Sequence, residues 1–242
     1  MKALAIGRWR FEPKPWPSLA AAVFLLLTLS LGEWQERRAQ QKLESQTRID
    51  ALAAGPAAVM PAKAIEASEF VQRPIEVRGE FLAENTAFID NRVYRMRPGY
   101  HVITPLRISG GNVYVVVNRG WVAADPRREV LPQVDTPMGE QFLHGVAVIP
   151  PKNVYELAPD TASGAVKQHL ALDLLGAQWK IALQPVVIEQ TSSAVDGLVR
   201  DWPRQDAGAD THLAYAFQWN VMAAVVALLW ISLNLRKDNA PD

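Results

Sequence analysis

The chain has 242 residues and a mass of 26.8 kDa, enough for one substantial folded domain with accessory segments. Lys plus Arg number 25 and Asp plus Glu number 25. The formal net charge is therefore zero, and without an overall basic field nucleic acid is not expected as a partner. The chain contains no cysteine, which excludes disulfides, thiolate metal sites, cysteine nucleophiles and iron–sulfur clusters.

A mainly apolar, uncharged segment near the N-terminus lies between Trp16 and Trp34. At ~1.5 Å per residue it matches the hydrocarbon core of a bilayer, with a tryptophan at each interface. We therefore predict a transmembrane helix over residues 16–34. A cleavable signal peptide is the alternative, because basic residues precede the segment and Ser30 and Gly32 are small residues suited to cleavage.

A second uncharged segment runs from Leu213 to Leu235 near the C-terminus. Its length is sufficient to cross a bilayer with some tilt, so we predict a second transmembrane helix over residues 213–233. A buried core helix is the alternative. Arg236 and Lys237 close the segment.

The basic residues near the two segments predict their orientation. Short flanking segments dominate membrane topology, whereas long domains cross the membrane largely regardless of their charge. The N-terminal residues 1–15 and the tail 234–242 are short and basic. We therefore expect both termini in the cytoplasm and residues 35–212 outside the cytoplasmic membrane.

Residues 35–212 are predicted to form a β-rich α+β domain. A polar helix over residues 35–52 is expected first, followed by a linker over residues 53–63 that is rich in Ala, Gly and Pro. Short alternating or apolar runs then indicate strands. The predicted strands are residues 75–80, 86–90, 100–108, 113–122, 142–149 and 184–190. Pro98-Gly99 is predicted as a turn, residues 123–141 as an exposed loop and residues 171–179 as a short helix.

The first candidate site is Asn118-Arg119-Gly120-Trp121, which we place directly after the buried run of the fourth predicted strand. The glycine allows a bulge or a close backbone approach, and the indole N–H of the tryptophan needs a partner. The plainer interpretation is a strand end with a packed Trp121 and with Arg119 paired locally, for example to Asp125.

The second candidate site lies where the chain re-enters the membrane. Asp210 or Thr211 is predicted to cap the second helix, and His212, Tyr215 and Trp219 then recur on one helical face. An imidazole at the membrane surface can ligate an iron whose macrocycle lies against an aromatic wall. The alternative is an ordinary interfacial aromatic belt with a solvated histidine.

Two polar residues, Gln218 and Asn220, lie inside the apolar length of the second helix. Polar side chains at such a depth usually face another helix.

Motifs for common catalytic sites are missing from the sequence. It contains no G-x-S-x-G, H-E-x-x-H, G-x-x-x-x-G-K-[ST] or G-x-G-x-x-G. The four histidines are too far apart along the chain to form a helical pair of metal ligands. We therefore do not expect an enzyme.

With these elements in place, the sequence resembles the Surfeit locus protein one family over nearly its whole length. The residues that carry the resemblance are Arg92, Pro98-Gly99-Tyr100-His101-Val102-Ile103-Thr104-Pro105-Leu106, Val117-Asn118-Arg119-Gly120-Trp121-Val122 and His212-Leu213-Ala214-Tyr215-Ala216-Phe217-Gln218-Trp219. Their order, and their placement relative to the two apolar segments, also match.

The resemblance implies a non-enzymatic assembly factor for a haem–copper terminal oxidase, cytochrome c oxidase, that assists the insertion of haem a into the catalytic subunit. The membrane-proximal histidine of the family, implicated in haem binding, maps onto His212, so His212 is the expected ligand of the haem iron. Tyr215 and Trp219 are expected to line the cofactor beside it. The stretch from Asn118 to Trp121 is expected to contact a partner.

The implied partners are the oxidase catalytic subunit and the haem a synthase, with the lipid bilayer around both spans. The short N-terminus suggests a bacterial member, located in the cell inner membrane with a periplasmic central domain. Two alternatives remain open, a membrane-anchored extracytoplasmic hydrolase and a membrane adaptor that binds no cofactor.

Overall fold

The computed structural model describes residues 4–6, 9–151, 164–202 and 208–237, and these form two compact units. The first unit comprises residues 1–48 and 205–242, and the second comprises residues 49–204.

Two long helices make up most of the first unit. Helix α1 spans Pro15–Ala53 and helix α4 spans Ala209–Asn234, and each is long and apolar enough to cross a membrane. Large apolar side chains such as Leu26 and Phe217 are about two-thirds exposed, as expected of surfaces that face lipid. The two helices therefore suggest association with a membrane.

Helix α1 continues without a break through both predicted parts, the apolar segment and the polar helix over residues 35–52. It also passes through Ser30 and Gly32, where the signal-peptide alternative places cleavage. A Cβ atom on Gly32 would lie 3.0 Å from Oδ1 of Asn220 and 3.6 Å from Cβ of Trp219 on α4. Gly32 therefore gives α4 room to pack closely against α1.

The far ends of the two helices are joined by a small antiparallel sheet of β1 (Leu4–Ile6), β2 (Trp9–Phe11) and β11 (Leu235–Lys237). Asn234 is buried here, and its Oδ1 accepts a hydrogen bond from the backbone N–H of Lys14 at 3.1 Å. Trp230 donates from Nε1 to the hydroxyl of Ser18 at 3.0 Å. These bonds tie the start of α1 to the end of α4.

The second unit is built around a closed β-barrel. Strand β4 (Pro74–Phe81) pairs antiparallel with both β6 (Arg97–Ile108) and β8 (Glu140–Val148). Strand β7 (Val113–Ala123) pairs antiparallel with β6 and in parallel with β10 (Ala182–Gln190), which pairs antiparallel with β8. These pairings return to β4 and close a five-stranded ring, an architecture like that of the five-stranded barrels of OB-folds.

The remaining elements surround this barrel. Strand β5 (Ala87–Tyr94) extends the sheet beside β6, and β3 (Ala58–Val59) and β9 (Val166–Lys167) are short additions. The helical elements are α2 (Ala67–Phe70), a 3-10 turn (Ala83–Asn85) and α3 (Leu172–Trp179). The β-rich α+β character is confirmed, and so are the helix predicted over residues 171–179 and a strand at each predicted position.

Strand β7 is buried on both faces, as the apolar run predicts. Val115 and Val117 pack in the barrel core with Ile75, Leu106 and Ile188. Val116, on the other face, packs with Leu175 of α3.

One local prediction is wrong. Pro98-Gly99 lies inside β6 and is not a turn, whereas the turn falls at Arg95 and Met96, which adopt positive φ angles of 45° and 63°. These side chains give no turn signal, because glycine and asparagine are the residues that favour this backbone region. The linker over residues 53–63 also contains β3.

Candidate functional site

The Asn118–Trp121 stretch lies inside β7 and does not follow the strand, because β7 continues to Ala123. Across from it, Val102 pairs with Gly120 and Ile103 pairs with Asn118, so Arg119 is the extra residue of a β-bulge. Gly120 has a φ of 142°, and a Cβ there would lie 2.7 Å from the backbone O of Val199. The predicted bulge and close backbone approach at this glycine are confirmed.

Arg119 is completely buried at the bulge. Its guanidinium donates from Nη1 to Oγ1 of Thr136 at 2.8 Å and from Nη2 to Oδ2 of Asp196 at 3.3 Å. Asp196 also accepts a hydrogen bond from Arg200. The local pairing of Arg119 with Asp125 is therefore wrong: the partner lies 77 residues further along the chain, a distance that spacing cannot reveal.

These contacts connect three separate parts of the domain. Arg119 also donates to the backbone O of Asp135, so the loop before β8, the segment after β10 and strand β7 share one ion-pair network. Burial lowers the pKa of Arg119, and the carboxylate of Asp196 opposes that effect. The arrangement connects these three parts, and removal of one charged partner would leave an uncompensated charge in the interior.

Trp121 packs at the same end of the domain. Its Nε1 donates to the backbone O of Arg92 at 2.8 Å, and its ring centroid lies 5.3 Å from that of Tyr94. Backbone hydrogen bonds in both directions join Trp121 to Val199. The indole N–H thus has the partner that its burial requires.

We expect Gly99→Ala to destabilise the domain by about 1–3 kcal/mol, because the added methyl group overpacks this site. A Cβ on Gly99 would lie 2.2 Å from the backbone O of Val122 and 2.5 Å from Nε1 of Trp121. Denaturant unfolding of the purified protein would measure the loss. Gly55→Ala is the control, because its closest contact is 3.2 Å; equal stability of the two variants would contradict the steric argument.

His101 lies beside Trp121 across the strand pair β6–β7. The side-chain Nδ2 of Asn118 donates to Nδ1 of His101 at 3.2 Å, which leaves the ring proton on Nε2. Burial, reinforced by the positive charge of Arg92, lowers the pKa of His101 to about 4. The ring is therefore neutral at pH 7 and can donate from Nε2.

A cavity of about 430 Å³ opens next to these residues. It combines aromatic, cationic and acidic side chains. Its walls are formed by Asn91, Arg92, Val93, Tyr94, Arg95, His101, Trp121, Val199, Asp201 and Trp202. Of the predicted site residues only Trp121 reaches it; Asp201 and Trp202 gave no sequence signal.

The predicted partner-binding stretch is thus almost entirely internal. Asn118 and Trp121 are less than one-tenth exposed, and Arg119 has no exposed surface. Partner binding by Asn118, Arg119, Gly120 and Trp121 stays a prediction.

The second candidate site lies at the start of α4. The helix begins after Gly208, whose φ is 64°, and no side chain caps it. The predicted cap by Asp210 or Thr211 is therefore wrong, because Asp210 already lies within the first helical turn. Nδ1 of His212 lies 2.7 Å from Oε1 of Gln35 on α1.

This hydrogen bond decides which nitrogen of His212 is available. An amide oxygen only accepts, so Nδ1 donates to Gln35, and in the neutral ring Nε2 is the nitrogen that bears the lone pair. That tautomer suits a metal ligand, because a hydrogen bond at the other nitrogen normally orients a ligating histidine. The donor chemistry at His212 therefore fits an iron macrocycle.

The neighbours of His212 on its helical face are aromatic. Tyr215 is 49% exposed and Trp219 is partly buried. Asn220 donates from Nδ2 to Oε1 of Glu36 at 3.2 Å, which confirms for this residue the expectation that it faces another helix. Gln218 is exposed.

In sequence, this is a barrel domain inserted between two apolar helices, with a buried Asn-Arg-Gly-Trp bulge and a histidine at the start of the second helix. The sequence profile of the SURF1 family matches residues 22–224. The chain belongs to the SURF1 family.

Several animal and protist relatives align over most of the chain. Surfeit locus protein 1 of Mus musculus is 26% identical, covering 88% of this chain and 76% of its own. The SURF1-like protein of Monosiga brevicollis is 23% identical over 93% of this chain and 88% of its own. The SURF1-like protein of Drosophila melanogaster is 25% identical over 86% and 75%.

Proposed function

We propose that this protein is a membrane-anchored assembly factor for a haem–copper terminal oxidase, and that it assists the insertion of haem a into the catalytic subunit without catalysing a reaction. Membership of the SURF1 family supports the assembly role. The observation that carries the haem role is the hydrogen bond between His212 and Gln35.

The residues around His212 would contribute to the binding of haem a in different ways. Gln35 would fix the ring of His212 through Nδ1 and leave Nε2 as the nitrogen that faces the iron. Tyr215 and Trp219 offer aromatic surface along the same helical face, against which a flat apolar macrocycle can pack. Bound haem a would supply the redox-active iron that the oxidase requires.

A carrier must also release its cargo. The proposed site has one protein ligand, His212, on a half-exposed face of α4. Such a site suits reversible binding of haem a better than permanent binding. The oxidase catalytic subunit would then be the acceptor, and the haem a synthase the donor.

The proposed location is the inner membrane of a bacterial cell. Helices α1 and α4 would both span the bilayer, with the termini in the cytoplasm and the barrel domain in the periplasm. Their length, their apolar exposed surfaces and the basic residues that flank them support this arrangement.

Absorption spectra of the purified protein with haem a test the proposal. We expect a Soret shift in the wild type that His212→Ala abolishes. Gln35→Leu should weaken binding about tenfold, the usual effect of losing the partner that orients a histidine ligand. His144→Ala is the control, because His144 is about half exposed on the barrel domain. Equal spectra for His212→Ala and the wild type would reject His212 as the ligand.

A genetic experiment separates the assembly role from haem binding. Deletion of the gene should lower the haem a content of the oxidase in membranes, and His212→Ala should restore it less well than the wild type. Normal oxidase after deletion would refute the assembly role. Full rescue by His212→Ala would favour an adaptor that binds no cofactor.

A further inference from the structure

The cavity of the barrel domain is lined by a partly buried cation, Arg92, for which the described residues supply no acidic partner. Arg92 lines the cavity, and its Nε is buried without a hydrogen-bond partner. Within the described part of the chain its side chain takes part in no ion pair. A buried polar nitrogen in this state costs free energy unless a ligand or a water molecule satisfies it.

The other charged groups of the cavity already have neighbours. Asp201 accepts a hydrogen bond from the hydroxyl of Tyr94 at 3.0 Å, and the guanidinium of Arg95 lies 5.2 Å from the centre of the Tyr94 ring. Arg92 is therefore the cavity guanidinium that has a buried nitrogen still available to a ligand. Arg92 and Arg95 together with the carboxylate of Asp201 give the wall a net charge of about +1, which matches a singly charged anion better than a doubly charged phosphate.

Aromatic rings form the rest of the walls. The ring centroids of Trp121 and Tyr94 lie 5.3 Å apart, and the rings of His101 and Trp202 meet edge to face at 5.4 Å. Both indole N–H groups are bonded to backbone oxygens, so the indoles present apolar surface. The Nε2–H of His101 adds one neutral donor.

The position of the cavity on the barrel is a second, independent indication. Its wall is formed mainly by residues 91–95 of β5 and the following turn, with His101 from β6 and Trp121 from β7. The second and third strands of five-stranded OB-type barrels form their usual ligand-binding face. Arg95 in the cavity wall adopts a positive φ of 45°, and strained backbone of this kind is concentrated at binding sites.

We propose that this cavity binds a carboxylate attached to an aromatic or apolar group, with the carboxylate on Arg92 and the apolar part between Trp121 and Trp202. A small organic acid and an acidic side chain of a polypeptide share this chemistry. The volume of about 430 Å³ accommodates one such group. The proposal does not depend on haem binding at His212.

Saturation-transfer difference NMR on the full-length protein in detergent tests it, with protein-free micelles as the blank. The probes are 3-phenylpropionate, its neutral amide, and the blocked peptide acetyl-Phe-Asp-Phe-amide. We expect a saturable signal from at least one acid and a much weaker one from the neutral amide. A stronger signal from the peptide would assign the site to a polypeptide, and a stronger one from 3-phenylpropionate to a small acid.

Two variants make the result specific to the cavity. Arg92→Met should weaken binding about tenfold, the effect of losing one charge-assisted hydrogen bond. Arg97→Met is the matched control, since Arg97 is exposed on the same hairpin but does not line the cavity. Thermal unfolding verifies that Arg92→Met is folded, and Trp202→Phe offers a second, milder change. Equal signals from acid and amide, or unchanged binding by folded Arg92→Met, would overturn the proposal.

Discussion

Replacing Asp196 by alanine is expected to lower the free energy of unfolding by about 3–5 kcal/mol, the loss typical when one partner of a buried ion pair is removed. The carboxylate of Asp196 faces both Arg119 and Arg200, and the side chains of Asp196 and Arg119 are at most 3% exposed. Without the carboxylate, two guanidinium groups would be left together in the interior. Denaturant unfolding in detergent, followed by tryptophan fluorescence, measures the loss.

An exposed ion pair on the same barrel provides the control for Asp196. Glu80 and Arg107 lie 3.1 Å apart with both side chains about half exposed. Surface pairs of this kind contribute at most about 1 kcal/mol, so Glu80→Gln should be nearly neutral. If Asp196→Ala costs no more than Glu80→Gln, the buried network does not stabilise the domain.

The second large effect is a loss of stability in acid that originates at His101. Its pKa falls from 6.5 to about 4 on folding, mainly because the ring is buried, and the charge of Arg92 adds to the shift. Between pH 6.5 and 4 the imidazole of His101 is mainly protonated in the unfolded chain but remains mainly neutral in the folded protein. The stabilisation is complete above pH 6.5 and is lost as the pH falls towards 4, by up to about 3 kcal/mol in total.

A variant isolates this contribution from the carboxylates that titrate in the same range. His101→Asn removes the titrating ring and retains an oxygen that can accept the hydrogen bond from Asn118. It should be less stable than the wild type at pH 7 and should lose less stability between pH 6.5 and 4. Parallel pH profiles for the two proteins would show that His101 does not cause the acid sensitivity.

The regular elements of the barrel domain are predictable because their side-chain patterns are local. In β4, the alternation of apolar and polar residues corresponds to one buried face. In β7, the run of residues that is apolar on both faces corresponds to two buried faces. The turn at Arg95 and Met96 could not be predicted, since the pairing of β5 with β6 imposes positive φ angles on residues that do not favour them. Tertiary pairing overrides local preference there.

The candidate sites were predictable only in part. The spacing of His212, Tyr215 and Trp219 gives a shared helical face, but nothing in it identifies Gln35, which lies 177 residues earlier. Likewise, a buried Arg119 can be expected to need an acidic partner, but the sequence does not identify Asp196 as that partner. The cavity is assembled from three separated segments, so its shape depends on the closed barrel.

The position of β10 affects how the chain reaches its folded state. This strand lies between β7 and β8, yet it follows both in sequence. Until residues 182–190 have been synthesised, β7 and β8 each keep an open edge with unpaired backbone groups, and such edges readily recruit other chains. A chain that ends before residue 182 should therefore aggregate. We expect chaperones to protect the incomplete sheet until the last barrel strand has been synthesised.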